Sequence, residues 1–215
     1  MWRPSLLIIF SILVGFSYEF EGCGISEWKP HGSTIFGGNE VPSNKYPWQV
    51  YLYSDAEHSS FCGGALISND KVLTAAHCIV NQEANDLRVV LGADTLEDSE
   101  FNYVTVSDIK IYPDYHKTRG YVNTSDIGLL TLTTAVPYNS TIQPVCLPTD
   151  ASDLYIGINA TIAGWGIQLA KYKKIISFSD LSDKLMEVDV EVISNSQCSW
   201  NFIQKYLEAL SFLQI

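Results

Sequence analysis

The chain has 215 residues, 47% of them apolar, with a formal net charge of −11 and an isoelectric point near 4.6. This length suits one large all-β domain or two small ones, and the apolar content is ordinary for a protein with a packed core. The acidic balance argues against nucleic acid as a partner, because binding phosphates requires clustered lysine and arginine.

Residues 1–17 are predicted to be a secretory signal peptide. Arg3 supplies the basic start, an apolar run covers 6–16, and the small residues Gly15 and Ser17 suit a cleavage site. The alternative is a membrane anchor, but about a dozen apolar residues are too few to span a bilayer. A secreted, extracellular chain tends to pair its cysteines, and five cysteines leave one over.

Short strands are predicted from Trp48 onward. Apolar and polar residues alternate from Trp48 to Tyr53, and β-branched runs cover 87–91 and 104–111. Residues 186–192 alternate in the same way, which predicts a half-buried strand with Asp189 on its polar face. Many short strands separated by turn residues indicate a β-barrel or sandwich.

Several motifs in this order resemble those of the trypsin/chymotrypsin-like serine proteases. They are Ile35-Phe36-Gly37-Gly38, Pro47-Trp48-Gln49-Val50, Phe61-Cys62-Gly63-Gly64, Leu73-Thr74-Ala75-Ala76-His77-Cys78, Asp126-Ile127-Gly128-Leu129 and Ala163-Gly164-Trp165-Gly166. The resemblance implies an all-β fold of two Greek-key β-barrels, the first complete, the second incomplete and followed by a C-terminal helical tail. It also implies a pro-segment over 18–34 and a peptidase domain over 35–215, divided into a first barrel (35–135), a connector (136–150) and a partial second barrel with tail (151–215).

The resemblance assigns catalytic roles to two residues. His77 would be the general base and Asp126 would accept from its Nδ1–H group and fix its tautomer. A lone histidine is more often structural, and an aspartate before a strand can be a turn residue. The surrounding motifs favour the catalytic assignment here, whereas His31, His58 and His116 have no such setting and are expected at the surface.

Ile35 would be the amino terminus created by activation, again by resemblance. It is preceded by Thr34 and not by arginine or lysine, and the nearest basic residue, Lys29, is followed by Pro30. Either a different activating protease or no activation is expected.

The resemblance also implies the disulfides Cys62–Cys78 and Cys23–Cys146, the second of which would tether the pro-segment. Cys198 would remain unpaired.

The third member of the catalytic triad is missing from the 215 residues. The family that the chain resembles places its serine in Gly-Asp-Ser-Gly-Gly, and no serine here lies in that setting. Gly166 is the last glycine, and the resemblance implies that the oxyanion hole and specificity pocket need glycine-rich segments beyond it, so both are expected to be absent. The tail over 199–215 carries apolar residues at helical spacing. It is interpreted as non-native sequence, as a partner-binding helix, or as a segment packed on the exposed half-barrel.

Three interpretations follow. The favoured one is a fragment or mis-assembled form of an active serine endopeptidase, inactive as written. The others are a secreted, catalytically dead homologue acting as a binding or decoy protein, and a product that misfolds.

Three sequons predict N-glycosylation at Asn123, Asn139 and Asn159. No metal and no cofactor are expected, since the acidic stretch with Asp94, Glu97, Asp98 and Glu100 is interpreted as a solvated loop. The expected partners of a completed enzyme are protein or peptide substrates and protease inhibitors. The chain is expected to be monomeric, with no membrane association.

Overall fold

The structure is a computed structural model, and it describes residues 22–28, 39–96, 102–117, 123–150, 154–166 and 182–200. The strands within these ranges are β1 (Asn39–Glu40), β2 (Gln49–Ser54), β3 (Ser59–Ser68), β4 (Lys71–Thr74), β5 (Leu87–Leu91), β6 (Tyr103–Ile111), β7 (His116–Lys117), β8 (Asn123–Thr124), β9 (Gly128–Leu132), β10 (Asn159–Gly164) and β11 (Met186–Glu191). Helix α1 (Ala76–Ile79) and a 3₁₀ turn (Ala84–Asp86) lie between β4 and β5.

Six strands close into a barrel in the order β2-β3-β4-β9-β6-β5, and the pairing of β5 with β2 completes the circle. Every neighbouring pair is antiparallel. At one end of the barrel Thr74 of β4 lies opposite Gly128 of β9. The all-β prediction and the predicted closed first barrel are therefore confirmed.

The barrel interior is filled by alternate residues of its strands. Val50, Leu52, Leu66, Val72 and Leu130 are each at most 1% exposed and belong to one apolar cluster. Full burial of such side chains contributes about 1.5–3 kcal/mol each relative to leaving them in water. This cluster is the main stabilising core of the described chain.

The outer face of β2 packs against a second, smaller apolar cluster. Tyr51 points away from the barrel interior yet is only 2% exposed, because its ring meets Trp165 edge to face at 5.4 Å. Val41, Val90 and Leu185 complete this cluster. The predicted alternation along β2 is therefore present, but both faces of the strand are covered.

The second group of strands is a three-stranded sheet in the order β1-β11-β10. Its strand β11 was expected to be half-buried, yet Val188 and Val190 are 41% and 37% exposed. Neither valine belongs to an apolar cluster of the described residues. A second closed barrel is not formed by the described part of the chain.

A polar cluster joins this sheet to the first barrel and to the segment before residue 35. Lys45 Nζ donates to both carboxylate oxygens of Glu187 at 2.7 and 2.8 Å, and the Tyr46 hydroxyl donates to Glu187 Oε2. The Lys45 ammonium also lies 4.4 Å from the centre of the Trp28 ring. Burial opposes the charge on Lys45, but the hydrogen bonds to Glu187 and Tyr46 outweigh it and raise the pKa of Lys45. Burial and the hydrogen bond to Glu187 raise the pKa of Tyr46.

Residues 195–200 are helical, and the rest of the predicted helical tail lies outside the described residues, as do the predicted signal peptide, His31 and Ile35. Within the described ranges no helix combines the length and apolar character needed to cross a bilayer.

The cluster around Glu187 predicts a loss of stability in alkali. Lys45 and Tyr46 have pKa values raised above their unfolded values near 10. Their contribution is therefore complete below about pH 10 and disappears as the pH rises through the raised values. We expect Glu187→Gln to flatten the fall in the urea midpoint above about pH 10.

The matched control is Glu40→Gln, which removes the ion pair between Glu40 and Lys184. Both of these side chains are 57% exposed. Such a pair contributes about 0–1 kcal/mol, so the alkaline profile should keep its shape. An equally steep fall in Glu187→Gln would assign the alkaline loss to other groups.

Packing in the barrel predicts a large effect at Leu130, which is 0% exposed at the centre of β9. We expect Leu130→Ala to lower the free energy of unfolding by about 2–5 kcal/mol. Ile127→Ala is the control, because Ile127 precedes the same strand but is 51% exposed, and it should change stability by no more than about 0.5 kcal/mol. Equal losses in urea titrations of both variants would contradict the assigned core.

Candidate active site

The loop that carries His77 is held at both ends. Strand β4 ends at Thr74, whose hydroxyl donates to the carbonyl of Gly63 in β3 at 2.8 Å. Helix α1 then begins after the extended residue Ala75, and its Cys78 forms a disulfide with Cys62 in β3. A disulfide that closes a loop of this size, 16 residues in sequence, contributes about 3 kcal/mol in the chain-entropy account. His77 is therefore fixed between a hydrogen-bonded strand end and a covalent bridge.

Asp126 reaches the same place from the turn between β8 and β9. Ser125 has a positive φ of 54°, and the N–H of Ile127 donates to the Ser125 carbonyl at 2.8 Å. This tight turn ends one residue before β9, so Asp126 lies at the rim of the barrel. Its side chain is 27% exposed and that of His77 is 52% exposed.

Two hydrogen bonds join the two residues. The backbone N–H of His77 donates to Asp126 Oδ1 at 2.8 Å, and the ring Nδ1 lies 2.7 Å from Oδ2. An ionised carboxylate can only accept, so Nδ1 must carry the hydrogen. In the neutral imidazole the lone pair then resides on Nε2, which makes Nε2 the basic atom.

Nε2 faces the disulfide, with Cys78 Sγ at 3.5 Å. A disulfide sulfur has no hydrogen to donate, so this contact leaves the Nε2 lone pair available to accept a proton. The arrangement can therefore perform general-base chemistry on a hydroxyl group brought to Nε2.

Cys62, His77 and Cys78 have donor atoms within 4.8 Å of one another, a spacing that could suit a metal ion. The ligand form of cysteine is the thiolate, and both sulfurs here are bonded to each other. This trio therefore does not fit zinc while the bridge is closed.

In the acidic stretch, Asp94 accepts from the N–H of Asn44 at 3.4 Å, and Glu97, Asp98 and Glu100 lie outside the described residues.

Asp126 lines an open cleft of about 740 Å³. The cleft lies between the first barrel and the second sheet, with Asp126 and Gly63 on the barrel side and Ala163, Gly164 and Trp165 on the other. A substrate chain in this cleft would lie beside Asp126, the hydrogen-bond partner of His77.

The other predicted site residues lie apart from this pair. Cys23 and Cys146 form a disulfide, supported by a hydrogen bond from the Gly24 N–H to the Pro144 carbonyl. Cys198 is an exposed free thiol. His58 follows β2, and His116 lies in β7, where it pairs with Thr124 of β8.

The three sequons differ in setting. Asn139 is exposed, and its Oδ1 accepts from the N–H and hydroxyl of Thr141 and from the N–H of Ile142. Asn159 is exposed in β10, and Asn123 lies in β8 with its side chain outside the described atoms.

Two features of the site were not predicted from the sequence. The hydrogen bond from Thr74 to Gly63 could have been suspected, because the histidine motif contains a threonine at the end of the preceding strand. The role of the backbone N–H of His77 as a second donor to Asp126 could not, because every non-proline residue carries that group.

Residues 35–211 match the family model described as Trypsin. The chain is 31% identical over 187 residues to the clotting factor G beta subunit of Tachypleus tridentatus, an alignment covering 84% of this chain and 56% of that protein. It is also 31% identical over 186 residues to ovochymase-2 of Mus musculus, covering 82% of this chain and 29% of that protein. The chain therefore spans about half the length of the first relative and less than a third of the second.

The geometry predicts that in Asp126→Asn the ring of His77 is no longer held in the Nδ1–H tautomer. An amide has one acceptor oxygen in place of two, so it cannot accept from both the backbone N–H and Nδ1–H in the same way. We expect ¹⁵N NMR of histidine-labelled protein to show loss of the Nδ1–H form at His77.

Asp189→Asn is the matched control, because Asp189 accepts from the Thr161 hydroxyl on the second sheet and lies away from His77. Its His77 spectrum should equal that of the parent chain. An unchanged spectrum in Asp126→Asn would contradict the role of the carboxylate in fixing the ring.

Proposed function

Because the chain belongs to the trypsin family of serine peptidases, we propose that it is the chain of a serine endopeptidase in which His77 is the general base and Asp126 orients it. The observation that carries this proposal is the pair of hydrogen bonds from His77 to Asp126, at 2.7 and 2.8 Å. They leave Nε2 as the basic atom of His77, and Asp126 lines an open cleft.

In the proposed reaction a serine hydroxyl attacks the carbonyl of the peptide bond and His77 Nε2 takes the hydroxyl proton. Asp126 keeps the ring in the correct tautomer and stabilises the imidazolium that forms. His77 then returns the proton to the leaving amine. This is the general mechanism of the family, and the two hydrogen bonds support its transfer to these residues.

The nucleophile is not among the 215 residues in its family setting. They contain no Gly-Asp-Ser-Gly-Gly sequence, and Gly166 is their last glycine. Peptide hydrolysis of this kind also needs positioned N–H groups for the oxyanion. The proposal therefore includes that these 215 residues alone are inactive, and that serine, oxyanion hole and specificity pocket come from sequence outside them.

Secretion and activation complete the proposal. Residues 1–17 direct the chain out of the cell, and cleavage before Ile35 creates the new amino terminus. Because Thr34 precedes Ile35, the activating protease would not be one that requires a basic residue. The disulfide Cys23–Cys146 supports continued attachment of the released segment.

The substrates are proposed to be proteins or peptides bound in the cleft beside Asp126, and protease inhibitors are the second class of partner. The chain is proposed to be a monomer with glycans at Asn123, Asn139 and Asn159. The decoy alternative has no specific contact in its favour among the described residues.

A fluorophosphonate probe tests this proposal, because it labels only an activated serine. We expect no labelling of the 215-residue chain and no hydrolysis of peptide esters. We expect labelling of the native protein captured from its source with an antibody to the first barrel.

Labelling of the 215-residue chain would overturn the claim that these residues lack a nucleophile. Absence of labelling in both samples, with an active serine peptidase labelled in parallel, would overturn the endopeptidase proposal.

A further inference from the structure

The segments that carry His77 and Asp126 touch at a second point, two residues after each of them. Ile79 ends helix α1 and is 1% exposed. Gly128 begins β9 and is buried opposite Thr74 and Ile111. The two segments that are joined by the His77–Asp126 hydrogen bonds are therefore also in contact two residues further along each segment.

A side chain on residue 128 would meet the end of the Ile79 side chain where that side chain now lies. A Cβ placed on Gly128 would lie 2.5 Å from Ile79 Cδ1, 3.2 Å from Ile79 Cγ1 and 3.5 Å from the carbonyl oxygen of Ala75. Carbon atoms in contact normally stay about 3.5–4.0 Å apart. The end of the Ile79 side chain fills the space that an alanine methyl group at position 128 would need.

There is little free volume here to absorb a displacement. Ile79 packs in the barrel core with Cys78, Leu130 and Leu132. An added methyl group must turn the Ile79 side chain within the packed core or move α1 or the start of β9. Helix α1 is only four residues long and contains His77, so its movement is a movement of His77.

We propose that Ile79 and Gly128 are a matched pair of positioning residues that sets the separation of His77 from Asp126. The bonds at 2.7 and 2.8 Å weaken when their length or angle changes, so a shift of a few tenths of an ångström at the contact alters both. The inference rests on the proposed roles of His77 and Asp126. Its readout is the hydrogen bond itself and does not depend on hydrolysis.

The test uses ¹⁵N NMR of the histidine-labelled 215-residue chain, with the His77 resonances assigned by their loss in His77→Gln. In the parent chain we expect the Nδ1–H form at His77. Gly128→Ala is expected to shift the His77 ring resonances toward a mixture of tautomers and to broaden the Nδ1–H proton signal.

Rescue separates positioning from general damage. In the double variant Ile79→Val with Gly128→Ala, the valine lacks the Cδ1 atom that lies 2.5 Å from the added methyl group. We expect the double variant to recover the parent spectrum of His77. If Gly128→Ala fails to fold, the double variant alone is compared with the parent, and the same recovery is expected.

Gly92→Ala is the matched destabilised control. Gly92 has a φ of +66°, and the three atoms nearest to a Cβ there belong to Thr141 and Ile142, not to α1 or β9. It should lower the thermal midpoint and leave the His77 spectrum unchanged. The proposal is overturned if Gly128→Ala lowers the midpoint without changing His77, or if the double variant does not recover the parent spectrum. The outcome of the fluorophosphonate test does not affect this experiment, because the NMR spectra report the His77–Asp126 hydrogen bond and not catalysis.

Discussion

The pairing of Thr74 with Gly128 is the constraint on which the candidate site depends. It brings the end of β4 to the start of β9, and His77 and Asp126, 49 residues apart in sequence, lie just beyond these two ends. The hydrogen bonds between them are a consequence of barrel closure and not of any local preference. Everything that stabilises the barrel, from its apolar interior to the Thr74 hydroxyl, therefore also stabilises the His77–Asp126 geometry.

The second sheet is attached to this barrel by three kinds of contact. On one side the Tyr51 ring meets Trp165 and excludes water. On the other side Glu187 accepts hydrogen bonds from Lys45 and Tyr46, beside Trp28. The strand β1 adds backbone pairing, because residues just before the first barrel extend the sheet that contains β11. The cleft beside Asp126 owes its walls to these attachments.

Motifs and alternation predicted much of the fold. The Cys62 and His77 motifs indicated the family and with it a barrel, and the alternation after Trp48 indicated the strands of a barrel or sandwich. Burial of Tyr51 and exposure of Val188 were not predictable, because they depend on which distant strand covers a given face. The Glu187 cluster and the fit of Ile79 to Gly128 were also invisible in the sequence. Each joins residues far apart along the chain, and neither has a local pattern. Gly128 of the Asp126 motif is visible in the sequence, but its contact with Ile79 becomes apparent only in the folded chain.

The two disulfides differ greatly in the length of chain they enclose, 16 residues for Cys62–Cys78 and 123 for Cys23–Cys146. In a flexible chain the free-energy cost of closing a loop grows as three-halves RT times the logarithm of its length. Closing the longer loop therefore costs roughly 2 kcal/mol more than closing the shorter one. During oxidative folding the short bridge can therefore form from the β3–β4 hairpin before the rest of the barrel has gathered. The loop that carries His77 would then be the first part of the site to fold, and the disulfide that attaches the amino-terminal segment would form last.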